Sequence, residues 1–166
     1  SAVQSFEAAL QLNRELGVAW LGLARTQRLM KNLDQASESL TRAKRLLGDT
    51  DSSCSIEAAL LAIDLDDLHA ATRYIDAAEI QGSGPTIAYV RGNIAIKSGD
   101  AERAIAMYTE TLNERPKHIR ARLNRISCYL SLDQAGEAQD DANILLSLAP
   151  ELAIAVFAKA DAQSRL

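Results

Sequence analysis

Apolar side chains recur along this chain with two nested periods, one of three to four residues and one of 34. The short period is that of a helix face. It runs through Val18 to Met30, where Trp20, Leu23, Ala24 and, less cleanly, Gln27 mark the stripe. The long period is set by alanine: Ala2, Ala36, Ala70, Ala104 and Ala138 fall on one grid without insertion or deletion. Four residues after each comes Phe6, Leu40, Tyr74, Tyr108 or Ala142, and three further on Ala9, Ala43, Ala77, Thr111 or Leu145. Self-similarity at a fixed spacing of this length predicts helical hairpins stacked side by side, an all-α fold.

Turn signals divide the pattern. Lys31-Asn32-Leu33-Asp34 separates two helices, the second ending at Gly48. A second pair starts near Asp51, turns at Asp66-Asp67 and runs to Ile80 before Gly82-Ser83-Gly84-Pro85. Pro85 suits the first turn of a third pair, which pivots at Ser98-Gly99-Asp100 and stops at Pro116. A fourth spans Ile119 to Leu148, with a turn at Leu132-Asp133. The predicted organisation is one array: residues 1–16 form the second helix of a truncated repeat, and 17–50, 51–84, 85–118 and 119–152 form complete repeats. Residues 153–166 form the first helix of a further repeat, or a cap. The ragged ends predict a piece of a longer chain, or association end to end through Phe6 and Phe157.

This pattern resembles the tetratricopeptide repeat. Trp20, Leu23, Ala24, Ala36, Leu40 and Ala43 carry the likeness in the first complete unit. Gly92, Gly99, Asp100, Ala104, Tyr108 and Pro116 carry it in the third, and Tyr129, Ala138 and Pro150 in the fourth. The second departs most, because Cys54, Glu57 and Ala58 replace the expected first-helix pattern and leave its rotation open by a residue. The third and fourth units also resemble, diffusely, bacterial envelope repeat proteins. The resemblance implies a right-handed α-α superhelix, a non-catalytic scaffold, and a concave groove lined by the first helices.

Composition fits that picture. Aromatic residues make up only 4% of the chain, so its helices must pack through small side chains. The net charge of −4 removes a global footprint for nucleic acid and leaves only a local patch to consider. The longest apolar run, Gly17 to Ala24, is too short to cross a bilayer, which needs about 20 residues. Cytoplasm and bacterial periplasm or envelope both stay open as compartments.

Enzyme signals are weak. Gly82-Ser83-Gly84-Pro85 reads as a turn rather than a phosphate loop. His69 and His118 lack neighbours at metal-ligand spacing and read as surface histidines. Asp64, Asp66 and Asp67 read as a solvated turn opening a helix. The far-separated Cys54 and Cys128 read as small, reduced, apolar side chains. No catalytic residue, metal or cofactor is expected.

Binding signals are better. Through the resemblance, the groove presents Leu21, Arg25, Tyr89, Asn93, Leu123, Asn124, Ser127 and Phe157 to a protein or extended peptide. Asn93 and Asn124 would clasp its backbone, since an amide donates and accepts at once. Leu21, Tyr89, Leu123 and Phe157 would anchor apolar side chains, while Tyr89 occupies a place where recognition of an acidic chaperone tail needs Lys. A second candidate is the basic run Arg115, Lys117, His118, Arg120, Arg122 and Arg125, a site for an anion or RNA unless Glu110, Glu114 and Asp133 neutralise it. A structural spacer, an oligomerisation arm and a regulatory segment of a larger enzyme remain as alternatives.

Overall fold

A computed structural model describes residues 2–152; Phe157 and the whole segment 153–166 lie outside the described residues. The described residues form nine helices in two compact units, one ending at Ser83 and one beginning at Gly84. The first holds α1 (Ala2–Leu12), α2 (Gly17–Leu29), α3 (Leu33–Leu47), α4 (Ser52–Asp64) and α5 (Leu68–Glu79). The second holds α6 (Pro85–Lys97), α7 (Ala101–Glu114), α8 (Ile119–Ser131) and α9 (Ala135–Leu148). The fold is all-α, its helices packed as sequential antiparallel pairs: α2 on α3, α4 on α5, α6 on α7 and α8 on α9.

Local chemistry sets where the helices begin and turn. The carboxylates of Asp51, Asp67 and Asp100 accept from the backbone N–H groups of Cys54, Ala70 and Arg103, at 2.8, 2.9 and 2.9 Å. Each satisfies a donor that the first turn of a helix cannot. The turns inside the pairs each need one left-handed residue, supplied by Lys31, Asp66, Gly99 and Asp133. Only Gly99 adopts that conformation without the strain a Cβ brings.

The left-handed residues also expose a register shift. Lys31, Gly99 and Asp133 keep the 34-residue spacing, but Asp66 comes one residue late, as do the starts of α4 and α5. The rotation of the second pair, left open by a residue in the sequence, is thus one residue off the alanine grid. In α5 the fully buried residues are Ala71, Ile75 and Ala78, while Ala70 and Tyr74 are only half-buried and Ala77 is exposed. One residue is gained before α4 and returned before α6.

Elsewhere the small residues do what the pattern asks. Ala36, Ala43, Ala104 and Ala121 are buried at helix crossings. Gly92 faces the ring of Tyr108, and a Cβ there would stand 2.5 Å from it. Phe6 is not an open-end side chain: it is half-buried against Gly22, beside Leu10 and Leu23.

Candidate functional site

In the second unit, α6, α7 and α8 each contribute one residue to a polar triad. Tyr108, fully buried on α7, donates from its hydroxyl to Asn93 Oδ1 at 2.7 Å. Asn124 Nδ2 donates to the same Asn93 oxygen and to the Tyr108 hydroxyl, both at 3.1 Å. Burial pushes the Tyr108 phenol far above its ordinary pKa, so it remains a donor through the physiological range. Asn93 and Asn124, both expected in the groove, are thus joined to each other and to Tyr108.

The triad consumes half of each amide. Asn93 Nδ2 and Asn124 Oδ1 have no hydrogen-bond partner among the described residues, although both side chains are half-buried. One donor and one acceptor are therefore held in fixed orientation, a pairing that matches the N–H and C=O of an extended peptide.

The apolar anchors fare differently. Leu21 is corrected: it is buried in the first unit's core with Ala24, Leu40 and Leu61, so it cannot contact a ligand. On α4, Ser55, Ala59 and Ala62 are buried as well. Tyr89 is half-buried, its ring 5.9 Å from that of Tyr108 and 4.7 Å from that of His118. Leu123 is half-buried against the core around Ile126 and Leu145. Ser127 is exposed and donates to its own helix at Leu123 O.

Two buried carboxylates, neither singled out in the sequence as ion-pair partners, bind most of the arginines expected to be available. Glu57, 1% exposed, takes Arg28 Nε at 2.6 Å and Arg25 Nε at 3.2 Å. Arg28 also meets Asp64, which Lys31 contacts at 2.7 Å. Burial works against the charge on Asp64, but the hydrogen bonds from Lys31 and Arg28 outweigh it and hold that carboxyl below its ordinary range. Asp64 is therefore part of an ion-pair cluster, not of a solvated turn. Arg25 keeps about half of its side chain exposed (55%) while holding this pair.

In the second unit Asp141, 2% exposed, receives Arg122 Nη1 at 2.6 Å and Arg125 Nε and Nη2 at 2.7 Å. Arg125 reaches on to the Thr109 hydroxyl at 2.8 Å, and Arg122 to the carbonyl of Pro116 at 2.8 Å. Burial disfavours the charge of Arg125, but its bond to Asp141 more than offsets this and raises the guanidinium pKa further. The expected anion patch is corrected accordingly. Arg122 and Arg125 are turned inward and share the single carboxylate of Asp141, rather than pairing with Glu110, Glu114 or Asp133. Arg115, Lys117 and Arg120 remain on the surface, Arg115 touching the Thr86 hydroxyl at 3.2 Å.

His118 differs from the surface histidine expected of it. Its Nδ1 accepts from the Ala121 N–H at 3.1 Å and caps α8. Burial, then the charges of Arg115 and Arg120, lower its pKa below the usual 6.5, which favours the neutral ring that can accept. Cys54 and Cys128 are buried free thiols, and burial beside the Asp51 carboxylate pushes Cys54 up to about 11, so neither is poised as a nucleophile. Among the described residues no three His, Cys, Asp or Glu gather as metal ligands, and no helix is long and apolar enough to cross a membrane.

Sequential antiparallel helix pairs define an all-α helical-repeat fold. The comparisons agree on its kind: residues 95–150 match the tetratricopeptide repeat family model. Solved structures of such proteins are similar in fold. TTC0263, a thermophilic tetratricopeptide-repeat protein of Thermus thermophilus, superposes at a TM-score of 0.83, with 19% identity over 99% of this chain and 89% of its own. YrrB, a repeat protein with an unusual peptide-binding site, superposes at 0.61, with 16% identity over 90% of this chain and 77% of its own. The Cut9–Hcn1 hetero-tetramer of the APC/C gives 0.78 at 22% identity over 89% of this chain, which spans only 30% of that chain's length. No curated protein matches by sequence. Tetratricopeptide-repeat proteins are typically protein- or peptide-binding scaffolds, and the fold is one usually without catalysis.

Proposed function

We propose that this chain is a non-catalytic scaffold that binds an extended peptide segment of a partner protein, as part of a larger protein or complex. The observation that carries this reading is the half-used amide pair. Tyr108 fixes Asn93 and Asn124 so that one free donor and one free acceptor are held ready, which lowers the entropy lost on binding. Tyr89, half-buried beside them, is the apolar contact that accompanies the clasp. The division into four complete repeats between two partial ones belongs to this reading, and it holds for either compartment, cytoplasm or bacterial periplasm or envelope, between which fractionation of source cells would decide.

The test is affinity capture with the intact chain and with an Asn93→Ala, Asn124→Ala double variant of equal helicity. Capture of a partner by the first and its loss by the second supports the clasp. Equal capture by both moves the site elsewhere, and absence of capture by either favours a structural spacer.

A further inference from the structure

The repeat supplies its own internal comparison. Helices α2 and α3 are related to α8 and α9 by 102 residues without a gap, and the shared geometry extends to hydrogen bonds. Trp20 Nε1 donates to the Arg14 carbonyl at 2.9 Å, and the residues 102 further on repeat the bond, from Arg122 Nη2 to the Pro116 carbonyl at 2.8 Å. The groove over α8, between α7 and α9, is closed by Arg125, whose guanidinium spans from Thr109 to Asp141.

The groove over α2, between α1 and α3, has no such plug. At the place of Arg125 stands Leu23, too short and too apolar to bridge. At the place of Thr109 stands Glu7, and at that of Asp141 stands Ser39. What remains is a cleft of about 470 Å³, floored by Leu10, Leu23, Gln27 and Ser39 and edged by Glu7 and Glu38. That volume lies within the range of about 300–1,000 Å³ usual for ligand sites. Gln27, nine-tenths buried, binds only Ser39, through its Oε1 at 2.7 Å, so its Nε2 has no protein partner among the described residues. Its counterparts are the apolar Ala95 and the aromatic Tyr129, so a polar floor here is particular to α2. Glu7 and Glu38 make no ion pair among the described residues.

We propose that this cleft receives an arginine side chain of a partner peptide, which occupies the space that Arg125 fills from within over α8. Glu7 and Glu38 accept from its guanidinium, Leu10 and Leu23 take its methylenes, and Gln27 Nε2 donates to a carbonyl of the peptide. Arg14 and Arg42 stand on the same rim, the latter 4.8 Å over the Trp20 ring. They repel a run of bases, so the arginine is presented singly between neutral or acidic neighbours. The site consists of residues other than the amide triad and stands independently of it.

Trp20, the chain's single tryptophan, lines the cleft and reports on it. The capped tripeptide acetyl-Ala-Arg-Ala-amide should shift the Trp20 indole N–H resonance in a saturable way, and the isosteric citrulline peptide should not. Glu7→Gln with Glu38→Gln should weaken binding about five- to tenfold, as expected of two half-exposed ion pairs. Leu23→Arg with Ser39→Asp should abolish binding by closing the cleft from within, with helicity kept. Preference for the matching glutamate peptide, equal binding of citrulline, or an indole resonance that none of the peptides moves would each overturn the proposal.

Discussion

Replacing Asp141 by Asn tests whether the second unit depends on one buried charge. Asp141 is 2% exposed and accepts three hydrogen bonds of 2.6–2.7 Å from two guanidiniums, one of them on Arg122, whose side chain is 5% exposed. Asparagine retains one acceptor oxygen and loses the charge, so Arg122 and Arg125 face each other in the interior without a counter-ion. Breaking a buried pair from one side costs about 3–5 kcal/mol, because the orphaned charge stays desolvated. Arg125 is 15% exposed and can turn partly to water, which places the expected loss at the lower end, about 3 kcal/mol. Urea unfolding followed by far-ultraviolet circular dichroism gives the value, with hydrogen exchange in α8 and α9 locating it. The triple replacement Arg122→Met, Arg125→Leu, Asp141→Leu should recover most of the loss, since an apolar cluster of similar volume carries no desolvation cost. A loss below about 1 kcal/mol for Asp141→Asn would show that water reaches these charges and refute the reasoning.

Tyr108→Phe removes one donated and one accepted bond while leaving the ring on Gly92; it should cost about 1–2 kcal/mol in urea unfolding and shift the side-chain amide resonances of Asn93 and Asn124. The His118 cap has a definite pH sign: its folded pKa is depressed, so its contribution is complete above the unfolded value of 6.5 and declines as pH falls through the folded value. Thermal unfolding between pH 7.5 and 5 should show this decline, and His118→Asn should flatten it because asparagine caps without titrating. Ala104→Leu should overpack the crossing of α6 and α7 and lower stability by about 1–3 kcal/mol, measured by chemical denaturation.

The fold was legible because its determinants are local and repeated. Alanines at crossings, aspartates at helix starts and a small or polar residue at each turn announce themselves without knowledge of partners. The register of α4 and α5 was not legible: Ala70 and Ala71, like Ala77 and Ala78, are adjacent alanines, and composition cannot say which one faces inward. The left-handed residue, Asp66 instead of Leu65, reveals the shift, together with the late starts of α4 and α5 and the burial of Ala71 and Ala78. The hydrogen bonds that tie Asn93 to Asn124 through Tyr108 were not legible, because the three residues lie on three different helices. Leu21 takes a groove place only through the family resemblance, yet it is buried in a core shared with Cys54, Ala58 and Leu61 of α4.

The charges explain why the basic run misled. A run of Arg122 and Arg125 reads as a patch while their partner lies elsewhere in sequence, and Asp141 sits on the next helix, where Ser39 stands in the earlier pair. The same offset that hid the ion pair gives it meaning. Two grooves built on one backbone plan differ by a handful of side chains, and those side chains decide whether a groove is closed from within or left open. Closing the groove over α8 requires the carboxylate on α9 and the guanidiniums on α8 together, because either alone would be a buried unpaired charge. The groove over α2 lacks the guanidinium on its own helix but keeps carboxylates at its edge. Changes at three positions, Glu7 for Thr109, Leu23 for Arg125 and Ser39 for Asp141, therefore turn a closed polar cluster into an open one, which a cation from another molecule would complete.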